Sequence, residues 1–130
     1  FDTTFPLPAA EDRELCARWL RQGYTMIYAP EVLVLHSHRM TYGSFCRQHF
    51  RYGRGAFHFH RRRADAENEA TGIEPLRFYL DLLSYPFSQP GLLRPLTLAS
   101  LLFVSQTANA AGFFLEALSE KKVYGKHRGA

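Results

Sequence analysis

Residues 9–38 read AAEDRELCARWLRQGYTMIYAPEVLVLHSH, with two adjacent carboxylates at one end and two histidines at the other. Helical spacing governs the first half. Leu15, Cys16, Trp19 and Leu20 recur at i, i+1, i+4 and i+5, which predicts one buried face on a helix that starts near Glu11 and stops at Gly23. Gly23 suits the left-handed position that closes a helix, and Glu11 and Asp12 fall in the first turn, where the macrodipole favours negative charge. Beyond Gly23 the period changes to two. YTMIYAPEVLVLHSH reads as two β-rich runs divided by Ala29-Pro30-Glu31, with Val32, Val34 and His36 on one strand face and Leu33 and Leu35 on the other. A helix joined to a short strand pair predicts an α+β fold.

The rest of the chain is helical in pattern, so the α+β fold is predominantly α-helical. Residues 1–10 suit an extended lead-in. From Thr41 to about Arg63, Phe45, Cys46, His49, Phe50, Gly53 and Phe57 trace one stripe, and Arg47, Arg51, Arg54, His58 and Arg61 the opposite one. Gly53 and Gly55 each weaken a helix by roughly 1 kcal/mol relative to alanine, which implies a kink or close packing there. RRRADAENEATG is a solvated link closed by Gly72. A third helix is expected over Glu74–Ser84, ending at Pro86, and a last apolar one from about Leu92 to Leu118 before a basic tail. Spanning a membrane takes about 20 uninterrupted apolar residues. Arg94, Pro95, Gln106 and Asn109 interrupt this run, so a packing helix or one lying on a membrane surface fits better.

At 130 residues, 46% of them hydrophobic, the chain can bury one core and is not a disordered segment. It opens on FDTTFP without a leader pattern, which we read as a piece cut from a larger protein. The net charge of +4 permits an anionic partner. No acidic residue lies between Glu31 and Asp65, whereas Arg39, Arg47, Arg51, Arg54, Arg61, Arg62 and Arg63 all do. Cys16 and Cys46 sit among apolar neighbours at helical spacing and read as small core residues of a reducing compartment.

Taken together, FDTTFPLPAAEDRELCARWLRQGYTMIYAPEVLVLHSHRMTYGSFCRQHFRYGRGA resembles the C-terminal part of the catalytic domain of family 2 glycosyltransferases. That family carries a FDE-x-F segment, an acidic pair heading D-x-x-L-x-x-R-x-x-x-x-G, a strand of the type Y-x-P-x-A-x-V-x-H, and R-x-T-x-x-x-x-x-R-Q-x-x-R-Y-G-R-G. The pieces are individually weak, but their order and spacing over residues 1–56 are specific. The resemblance implies residues 1–64 as the end of a GT-A catalytic domain and residues 65–130 as a helical extension that serves membrane-surface contact or oligomerisation.

The resemblance further implies inverting transfer of a sugar from a nucleotide-sugar donor to an acceptor hydroxyl, with a divalent metal (Mn or Mg) on the diphosphate. Asp12 takes the position of the family's base, with Glu11 beside it; an ionised carboxylate must receive the acceptor's proton as its oxygen attacks. His36 matches the late histidine that reaches the metal, and His38, on the same strand face, is a second candidate. Arg47, Gln48, Arg51 and Arg54 match the segment beside the donor diphosphate. His58-Phe59-His60 repeats the His36–His38 spacing, but on a helix those side chains diverge, so they read as helix surface. The family's nucleotide-binding half, with its Asp-x-Asp motif, is not among these residues. We therefore expect the chain to be inactive alone, to hold no metal tightly, to self-associate, and to belong to a cytoplasmic enzyme peripheral to the membrane. Two rivals remain. FRYGRGAFHFHRRR interleaves arginine with aromatics as a nucleic-acid-binding module would, and the helices alone would serve a non-catalytic membrane-surface or oligomerisation module. Neither rival needs the acidic pair or YAPEVLVLH, so we expect no nucleic-acid partner.

Overall fold

The computed structural model of the protein describes residues 9–37, 39–67, 74–91 and 94–127. They form four helices in chain order, α1 (Glu11–Arg21), α2 (Tyr42–Glu67), α3 (Leu76–Ser88) and α4 (Pro95–His127).

α1 ends as its sequence predicts. Gly23 takes φ +87°, the Tyr24 N–H reaches the Trp19 carbonyl at 3.1 Å, and the Gly23 N–H reaches the Leu20 carbonyl at 3.0 Å. This is the Schellman arrangement, and the Trp19 and Tyr24 rings complete it with centroids 6.2 Å apart. The expected buried face is only partly covered: Leu15 and Cys16 are half-buried, while Trp19 and Leu20 are exposed.

The strand pair is corrected. Among the described residues there is no strand; residues 24–37 run extended either side of a turn in which the Val32 N–H bonds the Ala29 carbonyl at 3.1 Å. Two strands alone are marginal in water, and among the described residues no third element buries one face of this segment. Ile27, Leu33 and Leu35 are consequently 84%, 83% and 97% exposed. His38 and residues 1–8 lie outside the described residues.

α2 starts on a reciprocal cap. The Thr41 N–H bonds Ser44 Oγ at 2.8 Å and the Ser44 N–H bonds Thr41 Oγ1 at 3.2 Å. α3 departs from expectation by continuing past Pro86 to Ser88, with Pro86 fully buried inside it. A proline in the last turn loses one helical hydrogen bond, and its ring fills space here instead. α4 begins with proline in its first turn, where the absent N–H costs nothing, and runs 33 residues.

α2 and α4 run parallel. Tyr42 lies in a depression with Leu96, Ser100 and Val104, and at the far end Arg61 pairs with Glu120. Between those ends the backbones meet without intervening side chains. A Cβ on Gly53 would run into the backbone of Asn109, lying 3.0 Å from its Cα, and one on Gly112 would lie 3.0 Å from the Phe50 carbonyl carbon. Gly55 does the same for the segment before α1, where a Cβ would lie 2.7 Å from that of Ala9. Close packing, rather than a kink, is what Gly53 and Gly55 provide.

One substitution at two sites of α2 should therefore change sign. Gly43→Ala has open space around it and should stabilise the protein by about 0.5 kcal/mol through helix propensity and a less flexible unfolded chain. Gly53→Ala gains the same propensity yet must push α4 away, and should lose at least about 2 kcal/mol net. Urea denaturation of the two variants measures both; equal signs would show that the α2–α4 crossing is looser than described.

Candidate active site

The acidic pair heads α1 as the sequence predicts. Ala10, immediately before it, sits at φ +71°, a left-handed conformation that costs a non-glycine residue about 1–2 kcal/mol. Its carbonyl accepts the Glu14 N–H at 3.0 Å, and among the described residues no side chain caps the helix start. The positive end of the helix therefore acts on its acidic first turn of Glu11, Asp12 and Glu14. These three carboxylates differ. Asp12 is exposed, its Oδ1 accepting the Arg13 N–H at 2.8 Å. Glu11 is half-buried, and its Oε2 is buried without a hydrogen-bond partner. Glu14, not singled out by the sequence reading, is buried and held by Arg18, with Nε–Oε1 at 3.0 Å and Nη2–Oε2 at 3.3 Å. Of the three, Asp12 is the most exposed.

His36 is exposed in the extended segment after the turn. Among the described residues no three His, Cys, Asp or Glu side chains gather in a way that could hold a metal ion. The residues described do not by themselves fit the divalent cation that the sequence resemblance implies, and no step below is routed through one.

The arginine stripe divides in two. Arg47 and Arg51 are exposed, and Gln48 donates through Nε2 to the Tyr52 hydroxyl beside them. Arg54 turns instead towards α4, where its Nε lies 2.5 Å from Glu116 Oε2; His58 Nε2 lies 3.1 Å from Glu116 Oε1, and Arg61 pairs with Glu120. Arg54 thus serves the α2–α4 contact, whereas Arg47 and Arg51 face solvent. The hydrogen bond from Arg54 holds the Glu116 carboxyl below its ordinary value of 4.5; burial opposes this, and His58 reinforces it.

A second constellation emerges that the sequence reading missed. A cavity of about 560 Å³ lies between α1, the end of α2, α3 and α4, lined among others by Arg13, His60, Tyr79, Gln106 and Phe113. Arg13 stacks on Phe59 with its guanidinium carbon 5.1 Å from the ring centroid. Burial lowers the His60 pKa, and the charges of Arg13 and Arg63 lower it further. The available signal was the spacing of Gln106, Asn109, Ala110 and Phe113, which puts the polar interruptions of α4 on one face with an aromatic.

With this geometry in hand, comparison with known proteins gives one decisive finding. The family model described as glycosyl transferase family group 2 matches residues 6–118. The chain belongs to that family. Searches of the curated proteins and of the solved structures gave no match. The match of this glycosyltransferase chain extends through α3 and most of α4, well beyond the stretch of residues 1–56 on which the motifs fall.

The Glu116 contact gives a pH dependence whose sign is fixed. A carboxyl whose folded pKa is depressed contributes stability above its unfolded pKa and loses it as pH falls through the folded value. Thermal melts should drop in midpoint from about pH 5 downwards. Glu116→Gln should flatten that part of the profile and lower the plateau at neutral pH. An unchanged slope in the variant would place the acid sensitivity elsewhere.

Proposed function

We propose that this glycosyltransferase chain supplies the acceptor-activating carboxylate of an inverting sugar transfer. Asp12 accepts the proton of the acceptor hydroxyl while that oxygen attacks the anomeric carbon of a nucleotide-sugar donor and the bond to the diphosphate breaks. What carries the reading is Asp12 itself, an exposed carboxylate in the positive first turn of a helix within the region that matches the family. Arg47 and Arg51 are the exposed cations available to the departing diphosphate. Donor binding requires residues beyond these, so the chain alone is inactive. In the intact enzyme Asp12→Asn should leave donor affinity within about twofold and lower turnover by about 10²-fold or more. Near-normal turnover would remove Asp12 from the role and make Glu11 the next residue to test.

The same reading places the protein on a membrane surface. Within Pro95–Glu120, which is 26 residues long, an 18-residue stretch reaches a mean hydropathy of 1.4, and little of that stretch is buried. At 1.5 Å per residue it extends about 39 Å, enough to cross a hydrocarbon core of about 30 Å. Its pairing with α2 argues against crossing. Because the helices run side by side, a spanning α4 would draw Arg47, Arg51, Arg54 and Arg61 towards hydrocarbon, at about 2.5–3.5 kcal/mol for each at the bilayer centre. Lying in the interface, α4 can bury Phe103, Leu115 and Leu118, all exposed, while α2 stays in water. The protein should therefore float with lipid vesicles and come off in alkaline carbonate. Leu115→Lys with Leu118→Lys should reduce flotation several-fold. Resistance to carbonate would mean that α4 spans, and failure to float would mean that the apolar face meets protein.

A further inference from the structure

We propose that the cavity between α1, α2, α3 and α4 holds the acceptor of the transfer, and that this acceptor is an uncharged, sugar-headed amphiphile. The proposal rests on the reading of Asp12 given above and adds the class of molecule that Asp12 deprotonates. Arg13 follows Asp12 directly, and its N–H donates to Asp12 Oδ1 at 2.8 Å. The same Arg13 lines the cavity. The base and the cavity wall are therefore consecutive residues, with Cα atoms about 3.8 Å apart. In the step served, the acceptor O–H gives its proton to Asp12 and its oxygen bonds to the anomeric carbon. The donor diphosphate leaves with the electron pair of the broken bond.

The wall chemistry selects an uncharged head. Arg13 is balanced by Glu74 on the lining, so neither an anion nor a cation is favoured. Burial, helped by the charges of Arg13 and Arg63, holds His60 towards its neutral form, which donates at one ring nitrogen and accepts at the other. Gln106 and Asn109 are half-buried on the lining, and their side-chain amides make no hydrogen bond within the protein. Groups that both donate and accept match hydroxyls, which do the same. A phosphate only accepts and an ammonium only donates, so either would leave part of this wall unsatisfied. The Phe113 ring, 6.3 Å from that of His60, offers a flat apolar surface beside these groups for the C–H face of a sugar.

The other end suits a chain. Phe103 precedes Phe113 by ten residues, about 15 Å along α4. Leu83 and Phe103 both lie towards the connection between α3 and α4, away from Arg13 and His60. A cavity of about 560 Å³ with one polar and one apolar end fits an elongated amphiphile better than a free sugar. Phe103 is also 59% exposed, so the chain end opens onto the apolar face of α4.

The test uses the 130-residue protein and decyl maltoside below its micelle concentration, at about 0.15 M salt to screen surface charge. Calorimetry should show one-to-one binding, and NMR shifts should fall on the His60 ring and on the Gln106 and Asn109 amides. Maltose, which lacks the chain, should bind at least about tenfold more weakly, and decyl phosphate at least about threefold more weakly. Gln106→Leu should weaken maltoside binding about three- to tenfold. Ala110→Trp, which fills the cavity from an exposed position, should abolish it. Equal binding of maltose would remove the chain from the proposal, and equal or tighter binding of decyl phosphate would overturn the uncharged head. Normal binding by a folded Ala110→Trp protein would place the maltoside elsewhere; if that variant does not fold, unchanged binding by Gln106→Leu has the same force. Asp12→Asn separates this proposal from the one it rests on, because it should bind decyl maltoside as the wild type does. Absent maltoside binding together with the expected loss of turnover in Asp12→Asn intact enzyme would remove the acceptor site and leave the base. Normal maltoside binding together with near-normal turnover in that variant would remove the base, and with it the acceptor role of the cavity.

Discussion

The close crossing of α2 and α4 sets everything else. Gly53 and Gly112 remove the side chains that would hold the backbones apart, so Asn109 and Phe50 approach through main-chain atoms. Once the axes are that close, the next residues along must face one another. Arg54 and His58 then meet Glu116, Arg61 meets Glu120, and Phe57 meets Phe113 edge-on at 5.5 Å. The ion pairs do not create the contact; partly exposed pairs contribute little by themselves. They fix the register of a contact that the glycines permit. Gly55 extends the same device to α1 by seating Ala9 against α2, and this brings Arg13 onto Phe59.

That dependence explains which parts were legible in the sequence. α1 could be read to within a residue or two because its punctuation is local: an acidic first turn, an apolar stripe and a glycine that takes positive φ. α2 was legible for the same reason, with the glycines marked as sites of close approach. The strand pair was not, because alternation in residues 24–36 records a preference for a pleated surface that only a neighbouring sheet can satisfy. The end of α3 was misjudged because Pro86 costs little in a last turn when its ring is buried. Arg54 was grouped with Arg47 and Arg51 as a diphosphate candidate, because helical periodicity identifies a face without naming what packs on it. Glu116, 62 residues away, turns that face into a contact.

The candidate site follows the same division. Glu11 and Asp12 could be found because their chemistry depends on position within one helix. Their different exposures could not, since Glu11 is covered by tertiary packing and Asp12 is not. The cavity was hidden for a stronger reason. Its lining comes from four stretches of chain, and only that of Arg13 lies within a motif. Gln106 and Asn109 looked like interruptions in an apolar helix, a reason against membrane crossing, when they are better understood as the polar floor of an apolar groove.

The two faces of α4 have different surroundings. One face is committed to α2 by glycine and ion-pair contacts, and that commitment keeps an arginine-rich helix alongside it. The other face is apolar and largely uncovered. A helix in that position cannot respond to lipid independently, because any tilt towards the hydrocarbon also moves Arg47 and Arg51. Under the membrane-surface reading proposed above, α2 limits how deeply α4 inserts, and an interfacial position satisfies both helices at once. The extended segment after α1 also leaves Ile27, Leu33 and Leu35 exposed. The two apolar surfaces differ in backbone, since α4 closes its hydrogen bonds within its own helix whereas residues 24–37 run extended apart from one turn.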